Sequence, residues 1–100
     1  MAEFKCYECS KGVVTGEKFT FTKEGSVHMD CFLASKRKKL SEEKLEQFRV
    51  LSLILDSELT HLINLINIKP QEGKGKDDHK IKYKDVEKAA GETTRKISEL

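Results

Sequence analysis

The pattern Cys6-x2-Cys9-x18-His28-x2-Cys31 constrains this chain more than any other feature. Two thiols two residues apart can share one tight turn whose backbone N–H groups point at the sulfurs. A second pair with the same spacing, placed after a short hairpin, can close a tetrahedron. Three thiolates and one imidazole suit Zn²⁺, which takes sulfur and nitrogen ligands at four-coordinate structural sites. Four protein ligands leave no position for water or substrate, so the expected site is structural and not catalytic. The cysteines number three and all lie in the first third of the chain. An odd count argues against a disulfide framework. Spacing alone also admits an iron centre on the same ligands. A redox Cys-x2-Cys normally opens a helix after a strand. Here Cys9 leads into Ser10-Lys11-Gly12-Val13-Val14, which is poor helix sequence. Gly12 is the residue expected to supply a positive φ to the turn.

A metal is also what the arithmetic of size demands. A unit of about 40 residues buries too little surface to fold on apolar contacts alone. A structural zinc contributes on the order of 10–16 kcal/mol of apparent binding energy, which becomes folding energy. The whole chain has 100 residues, of which 37% are apolar and 36% charged, with a net charge of +2. That length leaves no room for a large enzyme. No nucleophile–base pair, phosphate-binding glycine loop or paired-carboxylate site is visible. The expectation is a non-enzymatic protein with no catalytic residues and no small-molecule substrate.

The rest of the chain reads as helix. The fold class expected is α+β, mostly α: a small zinc-bound β-hairpin or knuckle, a helix, a long amphipathic helix and a C-terminal helix. Lys18-Phe19-Thr20-Phe21-Thr22 alternates as a strand does, with the aromatics on one face. Phe19 and Phe21 are expected in the core. Glu24-Gly25-Ser26 reads as a turn and Val27-His28 as the return strand. Asp30 is placed to cap a helix running to Lys39, or to orient His28. Ser41 is a second N-cap, with Leu40 and Leu45 at staple spacing. A helix over 42–67 would be about 39 Å long. Four units result: a finger at 1–40, the long helix at 41–68, a flexible linker at 69–80 and a C-terminal helix unit at 81–100, its helix expected from about Lys84 to Ser98. The linker is inferred from its glycines and charges. The final helix is inferred from Tyr83, Val86, Ala90, Thr94 and Ile97 at helical spacing. His61 and His79 are expected on the surface, the latter in the linker.

At this point the residues carry a resemblance. Cys6-x2-Cys9 followed by His28-Met29-Asp30-Cys31-Phe32 resembles the first zinc half of a LIM domain, including the Phe after the fourth ligand. The first cysteine of a second LIM module would fall at Ala34, and no later cysteine exists. The resemblance therefore spans about residues 4–33 and implies a single LIM-like, treble-clef-like finger. Over a longer span, FKCYECSKGVVTGEKFTFTKEGSVHMDCFLASKRKK is similar to a family of short archaeal proteins with this finger at the N-terminus. That similarity implies an archaeal zinc-binding protein and no particular activity.

Two partner classes follow from the pattern. Leu45, Phe48, Leu55, Leu59, Leu62 and Ile66 form a helical stripe, expected to bind a protein partner or a second copy through the 42–67 helix. Lys36-Arg37-Lys38-Lys39 is a basic run, expected as the alternative to contact the phosphates of RNA or DNA, with the ribosome among the candidate partners. The charge is distributed as +3 over 1–40, −3 over 41–68 and +2 over 69–100. The chain opens without an apolar leader, and its longest apolar stretch is interrupted by polar residues. Cytoplasmic residence without membrane contact is the expectation. Sixteen Lys and twelve Glu against two Asn and two Gln fit a thermophile's usage.

Overall fold

The computed structural model describes residues 4–14, 16–68 and 73–100. It is an α+β fold of two small antiparallel hairpins followed by three helices. The first hairpin pairs β1 (Phe4–Lys5) with β2 (Gly12–Val13) and brackets the Cys6–Cys9 turn. Strands of two residues are too short for alternation to betray, so the sequence gives no sign of this hairpin. The second pairs β3 (Phe19–Thr22) with β4 (Gly25–His28), Thr20 opposite Val27. Gly25 opens β4 at φ +124°, a conformation that favours glycine, so the turn falls at Lys23-Glu24 and not one residue later. The hairpins are stitched together. The Ser26 hydroxyl donates to the Lys5 carbonyl at 2.8 Å, and the Tyr7 N–H donates to the Ser26 carbonyl at 3.1 Å.

Helix α1 (Met29–Arg37) starts directly from β4. His28, not Asp30, is its N-cap, and no side chain caps it. Asp30 lies in the first turn, where the helix dipole favours a carboxylate. The helix ends two residues before the expected Lys39. Helix α2 spans Glu42–Asn67, the expected bounds, with Ser41 as N-cap though without a side-chain cap bond. Ser52, polar on the stripe, turns its hydroxyl back to the Phe48 carbonyl at 2.7 Å.

Helix α3 (Lys74–Ser98) corrects the linker. The expected flexible segment at 69–80 is helical from Lys74 onward; residues 69–72 lie outside the described residues. Composition misled because glycine and charge weaken a helix without forbidding it. Pro70 is the last proline of the chain, and tertiary contacts overrode the weak propensity. The contact that does so is visible: the His79 Nε2 lies 2.7 Å from the Leu65 carbonyl oxygen in the last turn of α2. The ring also stacks near Tyr83. His79, expected to be solvated, is half-buried.

One core runs through finger and helices. Cys6, Val13, Val27, Met29 and Phe32 from the finger join Phe48, Leu55 and Leu59 of α2 and Ala90 and Ile97 of α3. Leu55, Ile97 and Val27 are fully buried. The Lys18 ammonium pairs with the Asp56 carboxylate at 2.6 Å, tying the second hairpin to α2 at the surface. Among the described residues, no helix is long and apolar enough to cross a membrane.

Candidate metal centre

The sequence brings four potential ligands from two local structures, and the fold makes them meet. Cys6 and Cys9 lie on the turn between β1 and β2. The Cys6 carbonyl accepts from the Ser10 N–H at 2.8 Å, and the Cys6 N–H donates to the Lys11 carbonyl at 2.9 Å. The left-handed residue of this turn is Ser10, at φ 65°. Gly12, expected in that role, sits in β2. His28 ends β4, and Cys31 follows in the first turn of α1.

The ligand atoms of Cys6, Cys9, His28 and Cys31 all lie within 4.8 Å of one another. The His28 Nδ1 is 3.3 Å from the Cys9 sulfur and 3.9 Å from the Cys31 sulfur. A tetrahedral ion about 2.3 Å from sulfur and about 2.0–2.1 Å from nitrogen spaces such atoms about 3.5–3.8 Å apart. The four residues therefore fit one metal ion, with Nδ1 as the imidazole ligand. Cys6 is buried; the other three are half-buried beside a cleft that Lys11, Lys18, Asp30 and Asp56 also line.

The electrostatics match a site built for positive charge. Burial pushes the Cys6 thiol up, but backbone N–H groups at Cys9, His28 and Glu8 favour its thiolate and bring it down to about 6. The His28 N–H is one of these donors, 3.4 Å from the Cys6 sulfur. Burial and then the neighbouring Cys6 and Cys9 sulfurs push Cys31 up to about 12. Burial alone would lower His28, yet the adjacent Cys9 and Cys6 sulfurs and the Glu17 carboxylate raise it. Three thiolates this close would repel one another, and a bound cation would relieve that repulsion.

One participant escaped sequence reading. The His28 Nε2 is buried with no hydrogen-bond partner among the described residues, and the Glu17 Oε2 lies 3.4 Å from it. The other Glu17 oxygen accepts from the Val14 N–H at 2.9 Å, which fixes the loop. Glu17, not Asp30, is thus the carboxylate beside the imidazole. Nothing in the spacing around Glu17 signals this.

The other expected site residues are scattered. Phe48, Leu55 and Leu59 of the stripe are buried inside the chain itself, because α2 packs against both α1 and α3. Leu45 and Leu62 are half-buried and Ile66 is exposed. The stripe as a whole is not an open interface. The basic run is divided as well. The Lys36 ammonium donates to the Ser98 carbonyl at 3.0 Å and closes the end of α3, while Arg37, Lys38 and Lys39 are exposed. Of the two phenyl rings expected in the core, Phe19 packs against it and Phe21 does not. Phe21 is 54% exposed and Phe19 half-buried, while Thr20 and Thr94 bond through their hydroxyls at 2.7 Å beneath the strand. A two-residue period defines two faces without saying which one is inside.

Hairpins, helices and the Cys3His cluster define a small α+β protein with a candidate metal centre at its N-terminal end. The family model for an "Uncharacterized protein conserved in archaea (DUF2175)" matches residues 2–99, and the chain belongs to that family. Comparison with curated proteins and with solved structures returned no match.

Proposed function

We propose that this is a non-enzymatic zinc-binding protein in which one structural zinc closes the finger and the helices serve as a scaffold for binding a macromolecule. The observation that carries the metal reading is the Cys3His cluster, whose ligand atoms lie within 4.8 Å of one another. Thiolate-rich donors favour zinc over harder cations. The order of knuckle, hairpin and helix, with two ligands from each half, supports a treble-clef-like, LIM-like finger. Four protein ligands leave the ion no vacant position, which favours a structural role over catalysis.

The metal reading is tested on purified protein by elemental analysis and X-ray absorption. One zinc per chain with three sulfur and one nitrogen scatterers is expected. Iron, or an oxygen ligand in place of one of the four, would refute it.

Two contact modes remain for the scaffold. Docking of a protein, or of a second copy, falls to the outer row of α2, where Val50, Leu53 and Ile54 are exposed. Association with RNA or DNA is favoured by a specific observation, the exposed aromatic rings beside basic side chains on the finger. Leu53→Glu would lower the apparent mass in light scattering only if the first mode makes a dimer.

A further inference from the structure

We propose that Phe4 and Phe21 form a stacking platform for the unpaired bases of a single-stranded nucleic acid, with Lys23, Lys39 and Arg95 receiving its phosphates. This deepens the second contact mode above and is independent of which metal fills the finger.

The starting point is the inverted strand. β3 turns Thr20 inward and leaves Phe21 half in solvent, although burying a phenyl ring is favourable. The inward threonine is fully satisfied by Thr94, so the arrangement is a settled one. Phe4, 43% exposed, comes from the other hairpin to meet Phe21 edge to face, with centroids 5.3 Å apart at 87°. Phe19 closes the trio, 5.6 Å from Phe21 at 75°. In an edge-to-face pair the ring that gives its edge keeps its own faces free of that partner. Such a rigid cluster offers flat apolar surface to a third planar group.

What lies on either side of Phe21 selects the occupant. On one side is a mostly apolar groove of about 570 Å³, whose lining includes Phe4, Phe19 and Leu62 and also Lys18, Glu17 and Glu87. On the other is a crevice of about 670 Å³ between finger and α3. Lys23, Lys36, Lys39 and Arg95 line that crevice, together with Glu8, Glu24 and Glu99. Cations outnumber carboxylates there by four to three, and exposed Lys5 adjoins Phe4 in β1. A flat apolar surface bordered by cations is what a nucleotide strand requires: bases stack on the rings while the backbone follows the charges. Lys39, the exposed end of the basic run that lines the same crevice as Phe21, thereby acquires a role beside the aromatics. An apolar peptide would need the groove and not the crevice.

The test is fluorescence anisotropy with a labelled oligouridine of about 12 nucleotides, within the usual site size of such surfaces. The zinc-loaded protein is expected to bind it at about 50 mM salt and to lose affinity steeply towards about 200 mM. Phe21→Leu and Phe4→Leu, which keep apolar bulk but remove the π-face, should each weaken binding about 5- to 100-fold. Both positions are half in solvent, so unchanged circular dichroism and zinc content verify folding. Lys39→Ala with Arg95→Ala should reduce the slope of log affinity against log salt by about 1–2. Absence of binding at low salt would overturn the proposal, as would equal binding by the Phe21→Leu protein. Tighter binding of duplex RNA of the same length would do so too, since stacked bases cannot reach the rings. Those failures would leave the zinc content, and hence the metal reading, untouched.

Discussion

The finger, residues 4–37, and the helical pair α2–α3 are held together by different means. In the finger, four strands of two to four residues and a nine-residue helix converge on four ligands. Its apolar side chains are few, and three of its phenyl rings lie wholly or partly at the surface. In the helical pair, Leu55, Leu59, Val86, Ala90 and Ile97 are buried, and no ligand cluster is found among the described residues. On the proposed reading, one region gains its order from a concentrated interaction with an ion, the other from apolar burial spread over two helices of 26 and 25 residues. The difference teaches where each is fragile. A concentrated interaction fails as a unit, whereas distributed burial degrades residue by residue.

Breaking the ligand set should have the largest effect. Cys9→Ser, or removal of zinc with a chelator, forfeits up to about 10–16 kcal/mol of apparent binding energy. Amide resonances of residues 4–37 should collapse in an NMR spectrum while most of the α2–α3 helicity survives in circular dichroism. A dispersed, native-like finger spectrum without zinc would end the contrast. Acid should act in the same direction, because protons compete for the thiolates that a metal requires.

A core truncation in the helical pair sharpens the comparison at the next level. Leu55 has no exposed surface, so Leu55→Ala should cost about 2–5 kcal/mol in a denaturant titration. Because the core is continuous with Val27, Met29 and Phe32, part of that loss should reach the finger, yet zinc should remain bound. Release of zinc by this change would show the two regions to be one cooperative unit.

The smallest expected effect is a gain. Gly91 lies inside α3, and a Cβ built there meets nothing within 4 Å. Gly91→Ala should stabilise α3 by about 1 kcal/mol, read as a raised denaturation midpoint with unchanged zinc affinity. A loss of stability would mean that the neighbouring groove walls close on this position.

The sequence by itself determined the parts governed by short-range chemistry. Ligand spacing specified the Cys3His cluster, since two Cys/His pairs with matching spacing leave few ways to satisfy a thiolate-binding ion. Periodicity and the cap at Ser41 specified α2 to the residue, and the row Val86, Ala90, Thr94 and Ile97 specified the buried face of α3. Tertiary structure decided what depends on a partner distant in the chain. The segment from Lys74 joins α3 because His79 reaches back to Leu65, fourteen residues earlier. The stripe on α2 is covered because α1 and α3 pack against that helix. Thr20 of the strand faces inward, where Thr94, 74 residues away, completes its hydrogen bond. Glu17 reaches His28 only once the two hairpins are in place. Local patterns state that a surface is apolar or polar; only the three-dimensional packing states which side of it the rest of the chain will occupy.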